Sequence, residues 1–249
     1  MYLLFFAYFV IGAVIGSFLN VCIYRLPAGK SIVTPPSACG SCGHRLGALD
    51  MIPVFSYIFL RGRCRYCGAP YSCRYAIIEF LTGLLFMSCG LYYFPGLNMV
   101  LAWIFIACLV VEAFIDLDHQ IILDEILLLM VPLGLVYAYF NYPSLKESLY
   151  GALFAGGLML IIFLVSRGGM GAGDVKLACV LGLWLGLKAA IVCIFLAFIL
   201  GGIIGVGLLV TKLKTRKDPI PFGPFLCFSA YISLLFSPYL IYFYWSLFA

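Results

Sequence analysis

The stretch FLTGLLFMSCGLYYFPGLNMVLAWIFIACLVV, at residues 80–111, contains no charged side chain. A helix that crosses a membrane needs about 20 mostly apolar residues, so this stretch is long enough for two. The rest of the chain is similar, because 65% of its 249 residues are hydrophobic, 10% are charged and the mean hydropathy is +1.15. A soluble domain of this size carries far more charge on its surface. The sequence therefore predicts an all-α polytopic membrane protein.

Other charge-free stretches on both sides of this one predict further spans. They are residues 1–24, 126–145, 148–166 and 189–211, and the C-terminal run from Pro219. From these and a shorter, glycine-rich stretch we predict about eight transmembrane helices, at residues 3–24, 77–94, 98–117, 125–140, 147–166, 174–187, 189–211 and 222–247. The sixth is short and is expected to be a partial or tilted span. The first is expected to be a retained span rather than a cleaved signal, since its basic residues follow it.

The basic residues between the predicted helices indicate the orientation of the chain. If the loops alternate between the two sides, thirteen Lys and Arg side chains fall on one side and only Lys146 and Lys188 on the other. Because basic loops remain in the cytoplasm, we expect the thirteen to be cytoplasmic and both termini to lie outside. The thirteen are Arg25, Lys30, Arg45, Arg61, Arg63, Arg65, Arg74, Arg167, Lys176, Lys212, Lys214, Arg216 and Lys217. This topology accounts for the net charge of +5, and no nucleic-acid partner is predicted.

The largest of the basic loops, residues 25–76, contains two Cys-x-x-Cys-Gly motifs. Four thiolates at this spacing suit a tetrahedral zinc ion, and a glycine eases the tight turn around each motif. We predict a structural Zn²⁺ bound by Cys39, Cys42, Cys64 and Cys67. The alternative is two disulfides, which a cytoplasmic location disfavours. The chain is thus expected to comprise a first helix at 1–24, a cytoplasmic zinc module at 25–76 and seven membrane helices at 77–249.

Carboxylates are informative in so apolar a chain, because a charge within a membrane is costly and usually functional. Five of the ten lie around the end of the third predicted helix: Glu112, Asp116, Asp118, Asp124 and Glu125. Another, Asp174, follows a glycine-rich stretch at a predicted helix start. Two carboxyls held a few ångström apart can divide the work of peptide cleavage, one ionised to activate water and one protonated to polarise the carbonyl. The same pair equally suits a proton- or ion-coupled membrane transporter.

Several short motifs narrow this choice. Residues Gly171-Ala172-Gly173-Asp174 form the GxGD motif of intramembrane aspartyl peptidases. Together with IDLDHQII at 115–122 and GSFLNV at 16–21, it resembles the type IV prepilin peptidase family. The same family is also matched by YRLP at 24–27, by the two cysteine motifs and by CRYAIIEFLTG at 73–83. The motifs occur in the family's order from residue 16 to residue 182, which makes the set far more specific than GxGD alone.

The resemblance implies a bifunctional enzyme of the bacterial cytoplasmic (inner) membrane. It would remove the basic leader of prepilins or pseudopilins on the cytoplasmic side, and then methylate the new N-terminus with S-adenosylmethionine. By position, Asp116 and Asp174 match the family's catalytic acids. Asp118, Lys176, Gly171 and Gly173 match accompanying residues with supporting roles. Glu112 is not a family hallmark, and we expect it to influence the acid pair because it lies one turn before Asp116.

The methyl-donor site is less closely specified. Gly62 matches a position that the family links to methyl transfer, and residues bordering the zinc loop are expected to line the site with it. These are Asn20, Arg25, Arg74 and Glu79. The chain departs from the family at Ala76 and Leu123, where proline is common. Both lie at predicted helix starts, where proline is favourable but dispensable.

Four classes of protein remain distinguishable at this stage. A transporter would leave peptides intact, and a zinc-scaffolded assembly factor would tolerate the loss of both acids. A presenilin-like GxGD peptidase would lack the tetracysteine loop. The expected partners of a prepilin peptidase are prepilin-like substrates and the lipid bilayer. The sequence indicates neither the particular pilin nor the oligomeric state.

Overall fold

The computed structural model describes residues 2–142, 144–166, 169–215 and 218–246. Within these residues the regular structure is helical, and seven helices are long and apolar enough to cross a membrane. The predicted class, an all-α polytopic membrane protein, is confirmed. Arg167, Arg216, Lys217 and Ala249, on which the predicted orientation partly rests, lie outside the described residues.

The helix bounds agree closely with the predicted ones, apart from one pair. The described helices are α1 (Tyr2–Arg25), α2 (Phe55–Phe59), α3 (Arg74–Tyr92), α4 (Leu97–His119), α5 (Asp124–Asn141), α6 (Leu145–Ser166), α7 (Ala172–Val210) and α8 (Gly223–Ser246). Two 3₁₀ turns, Leu26–Ala28 and Ala48–Met51, lie in the loop that follows α1. The helices predicted at 174–187 and 189–211 form the single element α7. Seven described helices are therefore candidate spans, because α7 contains two of the eight predicted ones.

The chain divides into two compact units, Met1–Val111 and Glu112–Ala249, with the division inside α4. In the first unit α1 packs directly against α3. A Cβ atom on Gly12 would lie 2.7 Å from the Thr82 carbonyl oxygen, and one on Gly16 would lie 2.8 Å from the Glu79 Cα. Glycine is required at these positions because the two backbones nearly touch. This contact places the GSFLN segment of α1 beside the start of α3.

In the second unit α7 is interrupted at Gly186, whose φ of 69° and ψ of 171° are not helical. Two carbonyl groups freed just before the break are satisfied by side chains. The Tyr142 hydroxyl donates to the Trp184 oxygen at 2.7 Å, and the Ser148 hydroxyl donates to the Leu183 oxygen. A helix end buried in this way needs such partners. The segment before Gly186 therefore ends as a separate helix would.

Contacts at the far ends of α7 show that the helix folds back at this break. The Phe222 ring is 3.3 Å from where a Cβ on Gly201 would lie. The next residue, Gly223, and Gly173, which precedes Asp174 in the first turn of α7, both lie against Ile122. In a straight helix residues 174 and 201 would be about 40 Å apart. The two halves of α7 are thus distinct segments, and the first, about 21 Å long, falls short of a full crossing.

The first half of α7 lies in the core of the second unit. Trp184 is fully buried, donates its ring N–H to the Met130 oxygen at 2.8 Å and stacks on Tyr137. On another side, the backbones of Gly182 and Gly151 of α6 are so close that a Cβ on either would overlap the other. These contacts fix the helix that carries Asp174 at its start.

Candidate active site and zinc module

Asp116 lies near the end of α4 and is buried. Its Oδ2 atom accepts a hydrogen bond from the N–H of Gly223 at 2.9 Å. Gly223 is the first residue of α8, so this donor is one of the free N–H groups of a helix N-terminus, which favours a negative charge. A Cβ on Gly223 would lie 2.7 Å from Oδ2, so the close approach requires glycine.

Asp174 lies in the first turn of α7 and is also buried. Its Oδ2 atom accepts a hydrogen bond from the N–H of Gly171 at 3.3 Å. Gly173 serves a different purpose, since a Cβ there would lie 2.9 Å from the Cβ of Ile122. Within the GxGD motif, one glycine contributes a backbone donor and the other permits close packing.

The structure brings these two carboxyls together from separate helices. Ile122 packs against Gly173, which precedes Asp174, and against Gly223, whose N–H binds Asp116. The thiol of Cys227 on α8 is near both acids and near Glu112. Three helices, α4, α7 and α8, therefore meet at a buried pair of acids. Two buried acids whose charges act on each other do not readily ionise together.

Glu112 is fully buried one turn before Asp116. Its Oε2 atom accepts a hydrogen bond from the N–H of Leu123 at 3.2 Å. Its Oε1 atom has no hydrogen-bond partner among the described residues. The side chain thus holds the turn that follows α4, a role that the sequence did not suggest.

The other two charged residues predicted to support the pair lie outside the buried cluster. Asp118 is in the last turn of α4 and is exposed. The ammonium group of Lys176 contacts both carboxylate oxygens of Asp124, at 2.9 and 2.8 Å, and both side chains are more than half exposed. This ion pair joins the first turn of α7 to the first turn of α5, and its exposure limits its contribution to about 1 kcal/mol.

The four predicted zinc ligands form a cluster in the first unit. The sulfur atoms of Cys39, Cys42, Cys64 and Cys67 all lie within 4.8 Å of one another. The Cys39 and Cys67 sulfurs are 3.9 Å apart, close to the ~3.8 Å that tetrahedral coordination with ~2.3 Å Zn–S bonds gives. All eleven cysteines are free thiols, so no disulfide competes for these four. The cluster fits a zinc ion with four thiolate ligands and no open position.

The two cysteine motifs share one local geometry. Gly43 donates its N–H to the Cys39 oxygen at 2.9 Å, and Gly68 donates to the Cys64 oxygen at 2.9 Å. Both glycines are left-handed, with φ of 70° and 72°, which a side chain would strain. Backbone hydrogen bonds from Cys42 and Ser41 lower the pKa of the Cys39 thiol to about 6. At Cys39 the thiolate, which is the form that binds metal, is therefore favoured at neutral pH, whereas the pKa of the Cys67 thiol is raised to about 11.

Asp50 joins the two halves of the zinc module. Its carboxylate accepts hydrogen bonds from the Gly47 N–H at 3.0 Å and the Tyr66 hydroxyl at 3.2 Å, and it pairs with Arg65 at 2.7 Å. The Gly47 N–H is the main cause of its lowered pKa. Arg65 and Tyr66 belong to the second cysteine motif, so Asp50 ties the intervening segment to it.

Three of the predicted donor-site residues hold backbone segments in place. Asn20 donates to the Tyr75 oxygen at 3.1 Å, which links α1 to the start of α3. Arg25 donates to two carbonyl oxygens of the loop after α1, at 3.0 and 2.7 Å. Glu79 is buried and accepts the N–H of Val54 at 2.7 Å. Val54 has a φ of 63°, rare for a β-branched residue, so Glu79 stabilises a strained turn.

Gly62 and Arg74 complete the predicted donor set. Gly62 has a φ of 65°, and a Cβ on it would lie 2.9 Å from the Tyr57 hydroxyl, so the loop needs glycine for its own fold. Arg74 is the first residue of α3. A cavity of about 360 Å³ lies between α1 and the following loop, lined by Ser17, Arg25 and mostly apolar side chains. Among the five predicted residues Arg25 lines it, and the donor site stays a prediction.

Comparison with known proteins defines the family. Over 258 residues the chain is 35% identical to the prepilin leader peptidase/N-methyltransferase of Aeromonas hydrophila, covering 91% of this chain and 89% of the relative. The protein of that name from Bacillus subtilis is 31% identical over 238 residues, covering 95% and 96%. The chain belongs to the type IV leader peptidase family. The Pseudomonas aeruginosa relative of the same name is 33% identical, covering 90% of this chain and 88% of its own length.

Two family models match successive parts of this leader peptidase family member. Residues 10–93 match the bacterial peptidase A24 N-terminal domain, and residues 103–206 match the type IV leader peptidase family. The cysteine cluster lies in the first match, and Asp116 and Asp174 lie in the second. No solved structure matches the chain. The predicted resemblance is confirmed, and the chain is an enzyme of a peptidase family.

Sequence analysis of this leader peptidase family member did not single out two residues that lie at the acid site. Gly223 stands in Pro221-Phe222-Gly223-Pro224, which signals only a turn before a helix. Ile122 lies among other apolar residues, and nothing in the local pattern sets it apart. Both act on segments far away in the chain, which a local pattern does not record.

Proposed function

We propose that this protein is an intramembrane aspartyl endopeptidase that removes the basic leader of type IV prepilins or pseudopilins. Asp116 and Asp174 are its two catalytic acids. The observation that carries the proposal is their convergence from α4 and α7 in one buried site, each anchored through Oδ2 to a backbone N–H. The names of the curated relatives support the choice of substrate.

The division of work between the acids follows from their burial. One carboxylate removes a proton from the attacking water, while the protonated partner donates to the carbonyl oxygen of the scissile bond. As the tetrahedral intermediate collapses, the C–N bond breaks and the departing amine takes a proton from the acid that gained one. The other carboxylate takes back the proton of the hydroxyl that becomes the new carbonyl oxygen. Gly223 and Gly171 contribute fixed N–H groups that hold both carboxyls in place while the charge moves.

We place the acid site at the cytoplasmic face of the inner membrane, with both termini outside. Support comes from three loops of the second unit, at 118–124, 169–176 and 218–222, which meet around the acid pair. The loops at 118–124, 167–176 and 212–221 are the ones that the distribution of basic residues assigns to the cytoplasm. A basic leader reaches such a site without crossing the membrane.

We further propose that the enzyme methylates the new N-terminus with S-adenosylmethionine and that residues 25–76 form a zinc module which supports this activity. The relatives' names support methyl transfer, and the thiol cluster supports Zn²⁺ as a structural ion. Asn20, Gly62 and Glu79 shape the module, and their part in binding the donor, with Arg25 and Arg74, stays a prediction. The ion would cross-link the two cysteine motifs.

The proposal is tested by incubating the purified protein with a prepilin that carries its basic leader. Mass spectrometry of the product is expected to show a single cut at the end of the leader, and a further methyl group when S-adenosylmethionine is added. An intact prepilin would contradict the proposed cleavage and favour the competing proton- or ion-coupled transporter. Cleavage without methylation would contradict only the second activity.

A further inference from the structure

The turn between α4 and α5, Gln120–Leu123, is held tightly to the end of α4. The N–H of Gln120 donates to the backbone carbonyl oxygen of Asp116 at 2.9 Å. The backbone of Gln120 is left-handed, with a φ of 55°. The N–H of Leu123 donates to the buried carboxyl of Glu112 at 3.2 Å. The turn therefore has two anchors on the helix that carries the first acid, and one of them is a buried side chain.

Ile122, within this turn, packs against the starts of two other helices. A Cβ on Gly173 would lie 2.9 Å from the Ile122 Cβ and 3.0 Å from its Cγ1. A Cβ on Gly223 would lie 3.0 Å from the Ile122 Cδ1. Gly173 directly precedes Asp174, and Gly223 donates its N–H to Asp116. The Ile122 side chain thus meets Gly173 with its Cβ and Cγ1 atoms and Gly223 with its Cδ1 atom, and each of these glycines lies beside one of the acids.

We propose that Ile122 is a positioning residue that fixes the separation of Asp116 and Asp174, and that Glu112 holds the turn from which it acts. The proposal rests on the proposed function, in which these two acids are catalytic. Ile122 sets how close the start of α7 and the start of α8 lie to the end of α4. A displacement of about 1 Å in such a site can lower the rate by roughly a hundredfold.

The two contacts of Ile122 are separable by substitution. Ile122→Val retains the Cβ and a γ-carbon against Gly173 but lacks the Cδ1 that meets Gly223. Ile122→Ala retains only the Cβ against Gly173, and lacks both the γ-carbon there and the Cδ1 that meets Gly223. We expect the turnover number for leader cleavage to fall on the order of tenfold or more in Ile122→Ala and by a smaller factor in Ile122→Val, with KM nearly unchanged. Ile121→Ala, an exposed isoleucine in the same turn, is the matched control and is expected to retain the full rate.

The pH dependence distinguishes positioning from a general loss of stability. Two acids that move apart interact less, so their ionisation steps approach each other and the pH–rate profile of Ile122→Ala is expected to narrow. The other titratable groups around the pair include Glu112 and Asp118 on α4, Asp124 on α5, Lys176 and Cys193 on α7, and Cys227 on α8. None of them is changed in the variants, and the thermal unfolding temperature is measured in parallel.

Three outcomes decide the matter. A lower turnover number with an unchanged KM and a narrower profile supports the proposal. A turnover number of Ile122→Ala within twofold of that of the unsubstituted enzyme overturns the proposal. A lowered turnover number with an unchanged pH–rate profile overturns it too. In either case, cleavage that depends on both acids leaves the proposed function intact. If the unsubstituted protein leaves prepilin uncut, the proposed function and this inference both fail. Should Ile122→Ala fold poorly, Ile122→Val decides by the same criteria.

Discussion

Gly223 shows how a single residue without a side chain can serve an acid site. Its N–H holds Asp116, and a Cβ in its place would lie 2.7 Å from the Oδ2 atom that accepts this bond. Real Cβ atoms do not approach so closely, so either the carboxyl or the start of α8 would have to move. Gly223 is required because the site has no space for a Cβ atom, and not because glycine takes part in the chemistry.

We therefore predict that Gly223→Ala lowers the rate of leader cleavage on the order of a hundredfold. The physical cause is displacement of Asp116 from the geometry it needs with Asp174. The matched control is Gly202→Ala in α7, where a Cβ would meet nothing within 4 Å. Kinetics on a prepilin peptide check this, and equal rates for the two variants would contradict the role given to Gly223.

The zinc module proposed at residues 25–76 is expected to depend on a bound ion more than any other part of the chain. Its helical content is limited to the short α2 and two 3₁₀ turns, and most of its side chains are exposed. A segment with so little core needs a cross-link to hold one conformation. The four clustered thiols provide the ligands for it.

For this module we predict one zinc ion per chain and loss of most of it in Cys42→Ser or Cys67→Ser, because thiolate coordination stabilises the loop. Cys73→Ser is the control, since Cys73 is an exposed cysteine nearby that does not belong to the cluster. Elemental analysis of protein purified without chelator measures the metal. Absence of zinc from the unsubstituted protein, or equal loss in Cys73→Ser, would count against a Cys₄ zinc site.

The helix α7 illustrates which features of an element can be predicted from sequence. Lys188 and the surrounding glycines led to two predicted helices, and the structure breaks at Gly186, two residues before that lysine. The break was predictable because glycine and charge both interrupt an apolar helix. The carbonyl partners Tyr142 and Ser148 were not predictable, since they come from segments that are distant in sequence.

For the whole molecule, the folding back of α7 determines which side of the membrane each later segment occupies. Reporter fusions after Asp50 or Lys214 are expected to report the cytoplasm, and fusions after Lys146 or at Ala249 the outside, following the distribution of basic residues. The fusion at Ala249 is the sharpest of these. A cytoplasmic signal there would mean that α7 crosses the membrane only once.

Sequence reasoning predicted the fold class, which is confirmed, and singled out Asp116 and Asp174, for one physical reason. Apolar length and buried charge are local properties, and Asp116 and Asp174 stand out wherever the chain places them. The contacts that orient them depend on segments brought together by folding, as Gly223 and Ile122 show. The five predicted donor residues were grouped by their nearness to the zinc loop. In the structure Asn20, Arg25 and Glu79 form hydrogen bonds to backbone groups, which local patterns do not record.

The central claim is that Asp116 and Asp174 together cleave the leader, and single substitutions test it most directly. Asp116→Asn and Asp174→Asn preserve the shape of each side chain and an oxygen that can accept the backbone N–H. A lone carboxyl cannot act as base and acid at once, so each variant is expected to lose cleavage by a factor on the order of 10³ or more. Glu125→Gln, an exposed acid at the start of α5, is the control and is expected to cleave normally. Near-normal cleavage of prepilin by either asparagine variant would contradict the claim.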